Sequence, residues 1–176
     1  MTKGLEDLAS MASSIASKLT KAISKPESRY EQMLQVELHQ IAAMVNHLAE
    51  IARKLECASR RKEIRGRVAN PVSSWMVIED DGRTMIVRVK PATVITVKDS
   101  SIIFVRDHVR LEASTSMVKL CKWRYCKQVD LSKPQSALDY LQQLTYLVRE
   151  VSWYVSKSIE GLNAALKKEA PECLRI

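Results

Sequence analysis

Leu34, Ile41, Leu48 and Leu55 stand at intervals of seven, and so, further along the chain, do Leu141, Val148, Val155 and Leu162. Seven residues make two helical turns, so each run presents a continuous apolar seam that needs a partner along its whole length. Met44 and Ile51 fill companion positions of the first run, beside a row of Leu38, Val45 and Ala52. Leu144, Val151 and Ala165 do the same in the second, where Tyr140, Leu147 and Tyr154 add a further row. The eight heptad residues are the expected helix interface. Two such seams in one chain allow a coiled-coil-like hairpin, and each could equally take a helix of a second chain.

The start signals agree with two long helices. Ser24 and Glu27 in "SKPES" have the spacing of a capping box, and Pro26 is tolerated in a first turn, where its missing N–H has no partner to lose. "SKPQS" at 132–136 repeats this chemistry. Helices are thus predicted over 27–65 and 133–170, the second stopped by Pro171. Upstream, Leu5, Leu8, Ala12, Ile15, Leu19 and Ala22 fall at steps of three and four and make an amphipathic helix within residues 1–25. Lys18, Lys21 and Lys25 would suit a membrane surface, but Glu6, Asp7 and the lack of a large aromatic anchor favour docking on a protein body. The expected organisation is that helix, 1–25, followed by a single domain, 26–176.

Between the long helices the pattern changes to β-branched alternation over 73–130. "SWMVIED", the turn signal "DDGR" and "TMIVRVK" read as a hairpin, and "ATVITV", "SIIFVRDHVRLEA" and "SMVKLCKWRYCKQV" continue the pattern with "KDSS" and "STS" as connectors. Pro91 marks a bend, because it cannot donate to a sheet ladder. The fold class is α+β, with long helices flanking a small inserted antiparallel meander.

Side-chain parity assigns faces to these strands. Taken as one strand, 102–113 puts Ile103, Val105, Val109, Leu111 and Ala113 inward and Phe104, Arg106, His108 and Arg110 outward, with Glu112 beside them. The same reading sends Arg88 and Lys90 outward on an earlier strand and Lys122 and Arg124 outward on the last. The expected result is a basic sheet face around one aromatic, Phe104. Asp107 falls on the buried parity, which calls for a bulge or an inward arginine partner. A second basic cluster, "RKLECASRRKEIRGR" at 53–67, ends the first long helix and offers Arg60, Arg61, Arg65 and Arg67 to the same ligand, although cations at a helix C-terminus are also favoured by the macrodipole.

"CKWRYC" poses its own question. Within one extended strand Cys121 and Cys126 lie on opposite faces, roughly 16 Å apart, beyond the Cα separation a disulfide spans. Cys57, Cys173, His39, His47 and His108 are scattered singly, so no zinc knuckle forms and no metal ligand set is expected. Four cysteines without a framework fit a reducing compartment, cytoplasmic or a virion interior.

Composition narrows the functions. With 28 Lys and Arg against 20 Asp and Glu, the net charge is +8, which favours polyanions. Four glycines are too few and too dispersed for a phosphate-cradling loop, so nucleotide cofactors are not expected. No apolar run of about 18 residues predicts a transmembrane helix, and the N-terminus lacks the pattern of a signal peptide. Asp107 and His108 face opposite ways on a strand, and Glu79, Asp80 and Asp81 read as turn formers, so no catalytic site is expected. Two functions remain. One is nonenzymatic nucleic-acid binding, DNA or RNA, through the basic sheet face and helix end. The other is a structural or adaptor protein, assembled through the heptad helices into a homo-oligomer, a complex with a partner helix, or a virion or ribonucleoprotein component.

Overall fold

The computed structural model describes residues 8–61, 70–73, 76–80, 84–89, 93–98 and 100–176. Helix α1, Leu8–Thr20, buries Leu8, Met11, Ala12, Ile15, Ala16 and Leu19 along one face. It turns back onto α2, Arg29–Arg61. Gln35 Nε2 donates to the carbonyl of Ile23 at 2.8 Å, and His39 Nε2 lies 3.4 Å from the carbonyl of Thr20. As the α1 partner moves back along the chain, the α2 partner moves forward, so this pair is antiparallel. The N-terminal helix therefore docks on its own chain. The cap of α2 lies four residues beyond the expected one: Ser28 Oγ accepts from the Glu31 N–H at 3.1 Å, and the Glu31 carboxylate accepts from the Glu27 N–H at 3.4 Å. The N-cap is Ser28, with Glu31 reaching back one residue beyond it to Glu27, and not Ser24 with Glu27.

Helix α3, Leu141–Glu169, follows a 3-10 segment, Pro134–Tyr140, and ends where Ala170 N–H donates to Leu166 O at 2.8 Å, one residue before Pro171. Its heptad residues and those of α2 are buried, with Leu34, Ile41, Leu48, Leu55 and Leu162 fully so. The pair is not a hairpin. Gln40 donates to Ser152 Oγ at 3.1 Å, Glu37 lies in the field of Arg149, and a disulfide joins Cys57 to Cys173. The offset between partners stays near constant, 112 residues at Gln40 and 116 at Cys57, so α2 and α3 run parallel.

A parallel pair requires the connection to travel back over the length of a helix. Twenty-nine residues of α3 span ~44 Å. Among the described residues, the intervening chain covers this distance as eight antiparallel strands in sequence order: β1 Asn70–Ser73, β2 Met76–Asp80, β3 Met85–Val89, β4 Thr93–Lys98, β5 Ser101–Arg106, β6 Val109–Ser114, β7 Met117–Lys122 and β8 Tyr125–Asp130. Seven inter-strand steps cover ~34 Å. Successive strands consequently meet successive turns of α3: Lys122 of β7 reaches Tyr146, whereas Arg106 of β5 and Thr93 of β4 reach or approach Ser158.

The two long segments expected as single strands are each a hairpin. Arg106 pairs with Val109 across the two-residue turn Asp107–His108, and Lys122 pairs with Tyr125 across Trp123–Arg124. Asp107 and Trp123 have φ of 53° and 57°, left-handed conformations not signalled by any glycine in either turn. A two-residue turn reverses the chain without inverting the face, so Ile102 and Phe104 point inward together with Val109, Leu111 and Ala113. Phe104 is fully buried in the core shared by helices and sheet. The outward basic face with Phe104 at its centre is thereby overturned. Asp107 needs neither bulge nor inward partner, because it sits in a turn.

The Trp123–Arg124 turn brings Cys121 opposite Cys126, with Cα atoms 4.1 Å apart, and the two form a disulfide. The expected 16 Å separation assumed an unbroken strand. Cys57–Cys173 closes a loop of more than a hundred residues and by chain entropy stabilises by ~5 kcal/mol; the six-residue loop of Cys121–Cys126 contributes ~2 kcal/mol. All four cysteines are paired, which removes the premise for a reducing compartment. Among the described residues no helix is long and apolar enough to cross a membrane.

Candidate functional site

One end of the strands meets one stripe of α3. Tyr146, Glu150, Tyr154 and Ser158 recur every four residues on that helix, and the inward residues nearest the hairpin turns face them. Lys122 Nζ donates to Tyr146 Oη at 2.6 Å and lies 3.4 Å from Glu150 Oε1. The bond to Tyr146 holds the Lys122 ammonium above its ordinary pKa, with Glu150 acting in the same direction. His108, in the β5–β6 turn, stacks on Trp123 at 5.0 Å and 21° and meets the edge of Tyr154 at 5.3 Å. Tyr154 in turn contacts Trp153 edge-on at 4.9 Å. Arg106 Nη1 donates to Ser158 Oγ at 3.1 Å, and its guanidinium lies 5.7 Å from the Tyr154 ring.

The two hairpin tips hold each other, since Trp123 N–H donates to His108 O at 2.7 Å. That bond and the Trp123 φ direct the indole outward: Trp123 is 76% exposed, Tyr125 44%, Tyr146 43% and Trp153 55%. Trp123, Tyr125 and Tyr146 line a groove of about 580 Å³ with Lys122, Gln142 and Gln143. Arg124 stands exposed in the turn, Lys127 Nζ lies 5.8 Å from the Tyr125 ring and Lys157 Nζ 5.9 Å from the Trp153 ring. The seam is therefore a row of aromatic faces flanked by cations, against which a flat, anionic ligand could lie.

The expected site residues divide. Arg88 and Arg110 do lie on the outer sheet face, but Arg110 pairs with Glu112 at 3.2 Å, and the half-buried Ile86, Val94, Ile103 and Val105 interrupt the charge. That face is mixed, not basic. Arg106, His108 and Lys122, expected beside them, belong to the helix side, and Arg124 to the hairpin tip. Arg60 and Arg61 occupy the last turn of α2. Lys90, Arg65 and Arg67 lie outside the described residues, as does Asp81. Sequence reasoning missed Trp123, Tyr125, Tyr146 and Trp153 as site residues. The only signal for the first two was the concentration of aromatics and cations in "CKWRYC", and its meaning depended on the turn.

Among the described residues, no group of three or more His, Cys, Asp or Glu side chains gathers to hold a metal ion. Comparison with protein-family models, with curated proteins and with solved structures finds no match to this chain. Its class is thus defined by architecture alone: an α+β protein in which an eight-stranded meander connects two parallel helices.

Proposed function

We propose that this protein binds single-stranded nucleic acid, without enzymatic chemistry, through the aromatic groove between the β7–β8 hairpin and α3. The observation that carries the reading is the trio Trp123, Tyr125 and Tyr146 around a groove lined also by Lys122, with Arg124 exposed in the adjoining turn, in a protein of net charge +8. Unpaired bases stack on such rings with little regard to sequence, at about 1–3 kcal/mol per base, while exposed cations such as Arg124 neutralise phosphates. A duplex hides its base faces and gains only the electrostatic part. The test is quenching of tryptophan fluorescence by short poly-dT and poly-U oligonucleotides. Saturable quenching in the parent and its loss in Trp123→Ala are expected; equal quenching in both chains would exclude this groove.

A second reading, an adaptor for a partner helix, is favoured by Tyr30, Met33 and Val36, exposed apolar residues spaced three apart on α2. These, and not the heptad residues, would carry it, because the heptads are spent within the chain. Tyr30→Asp with Val36→Asp should leave the helical signal intact and lower the solution mass if copies associate through this stripe; an unchanged mass excludes that association.

A further inference from the structure

We propose that the Cys121–Cys126 disulfide is a redox control on the aromatic groove, which binds more tightly with the bond closed than with it open. The inference deepens the nucleic-acid reading and rests on it. Between the two sulfurs stand Lys122, Trp123, Arg124 and Tyr125, and three of these four supply half of the groove lining. The other covalent link, Cys57–Cys173, joins the C-terminal part of α2 to the 3-10 segment Pro171–Arg175 that follows α3, away from the groove.

The turn inside the bridge is held in a conformation it does not favour. Trp123 has φ of 57°, a region that bulky side chains rarely occupy, and the residues flanking its turn, Lys122 and Tyr125, are fixed by strand pairing with each other. Opening the bridge removes the covalent link across this register one pair from the turn, leaving Lys122 and Tyr125 held by strand pairing alone. Trp123 and Tyr125 then sample other orientations, and a ligand must order them again on binding. The backbone bond from Trp123 to His108 and the remaining β7–β8 pairs persist, so the hairpin loosens without being lost.

Access is uneven, and it sets the order of attack. β8 is the last strand of the sheet, and Cys126 on it is half-buried, whereas Cys121 is buried. A thiolate of a dithiol reductant attacks Cys126 Sγ; the Cys121 sulfur leaves with the electron pair of the S–S bond and takes a proton. The second thiol of the reductant then displaces the Cys126 sulfur, which is protonated in turn. Two electrons and two protons pass to the protein, and the reductant ends as its own disulfide.

The test measures the affinity of a fluorescent poly-dT oligonucleotide for the oxidised full chain, for the same chain in dithiothreitol, and for Cys121→Ser with Cys126→Ser. The double variant keeps Cys57–Cys173, so a fall in its affinity does not reflect loss of the long-range bridge. Binding about three- to tenfold weaker in the double variant, a similar loss on reducing the parent, and no response of the double variant to reductant are expected. Affinities equal within twofold for oxidised parent and double variant would overturn the redox control while leaving the groove in place. No binding by the oxidised parent would overturn the nucleic-acid reading and this inference with it.

Discussion

Trp123 joins a left-handed backbone to an exposed indole, and the two properties pull apart under mutation. Glycine at this position relieves the strain of φ 57°, by about 1 kcal/mol, but removes the stacking ring. Trp123→Gly is therefore expected to unfold in urea at the parent's midpoint or above it, while oligonucleotide affinity drops about fivefold to 150-fold, matching the ~1–3 kcal/mol of a stacked base. A variant that lost stability and affinity together would assign Trp123 a structural role only. Glu37 allows a second test at this scale. Burial raises its pKa, outweighing the opposing pull of Arg149. A carboxyl with a raised folded pKa favours the folded state most below its unfolded pKa, and that contribution is lost as pH rises through the folded value. Glu37→Gln should thus be more stable than the parent at pH 7, with the gain vanishing in acid below about pH 4. Thermal midpoints at pH 7 and pH 3.5 measure it; a gain that grew in acid would contradict the assignment.

The elements were legible where a period of 3.6 or 2 ran without interruption, and illegible where a turn lacked its usual residues. The heptads marked the core faces of both long helices, and Leu34 through Leu162 are buried as expected, yet a heptad carries no sign of direction. Parallel and antiparallel pairs bury the same seam, so the hairpin expectation failed on topology and not on packing. The site failed for a different reason. Asp107 and Trp123 turn the chain without Asn-Gly or Asp-Gly, and reading through them reversed the assigned face of every residue on one side. Phe104, Arg106 and Lys122 moved inward as a consequence, and Cys121 met Cys126. Energies at this scale follow from loop size. Cys57→Ala with Cys173→Ala should cost up to ~5 kcal/mol, and Cys121→Ser with Cys126→Ser only ~2 kcal/mol, as measured by chemical denaturation. The reverse order would mean that the hairpin bridge, not the helix-end bridge, dominates stability. Leu48→Asp places an unpaired charge in a fully buried seam and is expected to unfold the chain outright. A folded, monomeric Leu48→Asp protein would instead show that the seam is accessible to a second chain.

At the scale of the whole molecule, the eight-stranded meander returns the chain along the parallel helices and lays successive strands against successive turns of α3. That arrangement places two hairpin tips, from β5–β6 and β7–β8, over one helical stripe, and the groove lies where the β7–β8 tip meets α3. The central claim is that this groove, and not the net charge, distinguishes unpaired bases. The most direct measurement is equilibrium binding of matched single- and double-stranded oligonucleotides by nucleic-acid-free protein across a salt series, for the parent and for Trp123→Ala with Tyr125→Ala. Single strands are expected to bind tighter than duplex in the parent, with both affinities falling as salt rises. The double variant should lose the preference and keep the salt slope, because the rings carry stacking and the cations carry the slope. A preference for single strands that survived without Trp123 and Tyr125, or no binding by the parent even at low salt, would contradict the account.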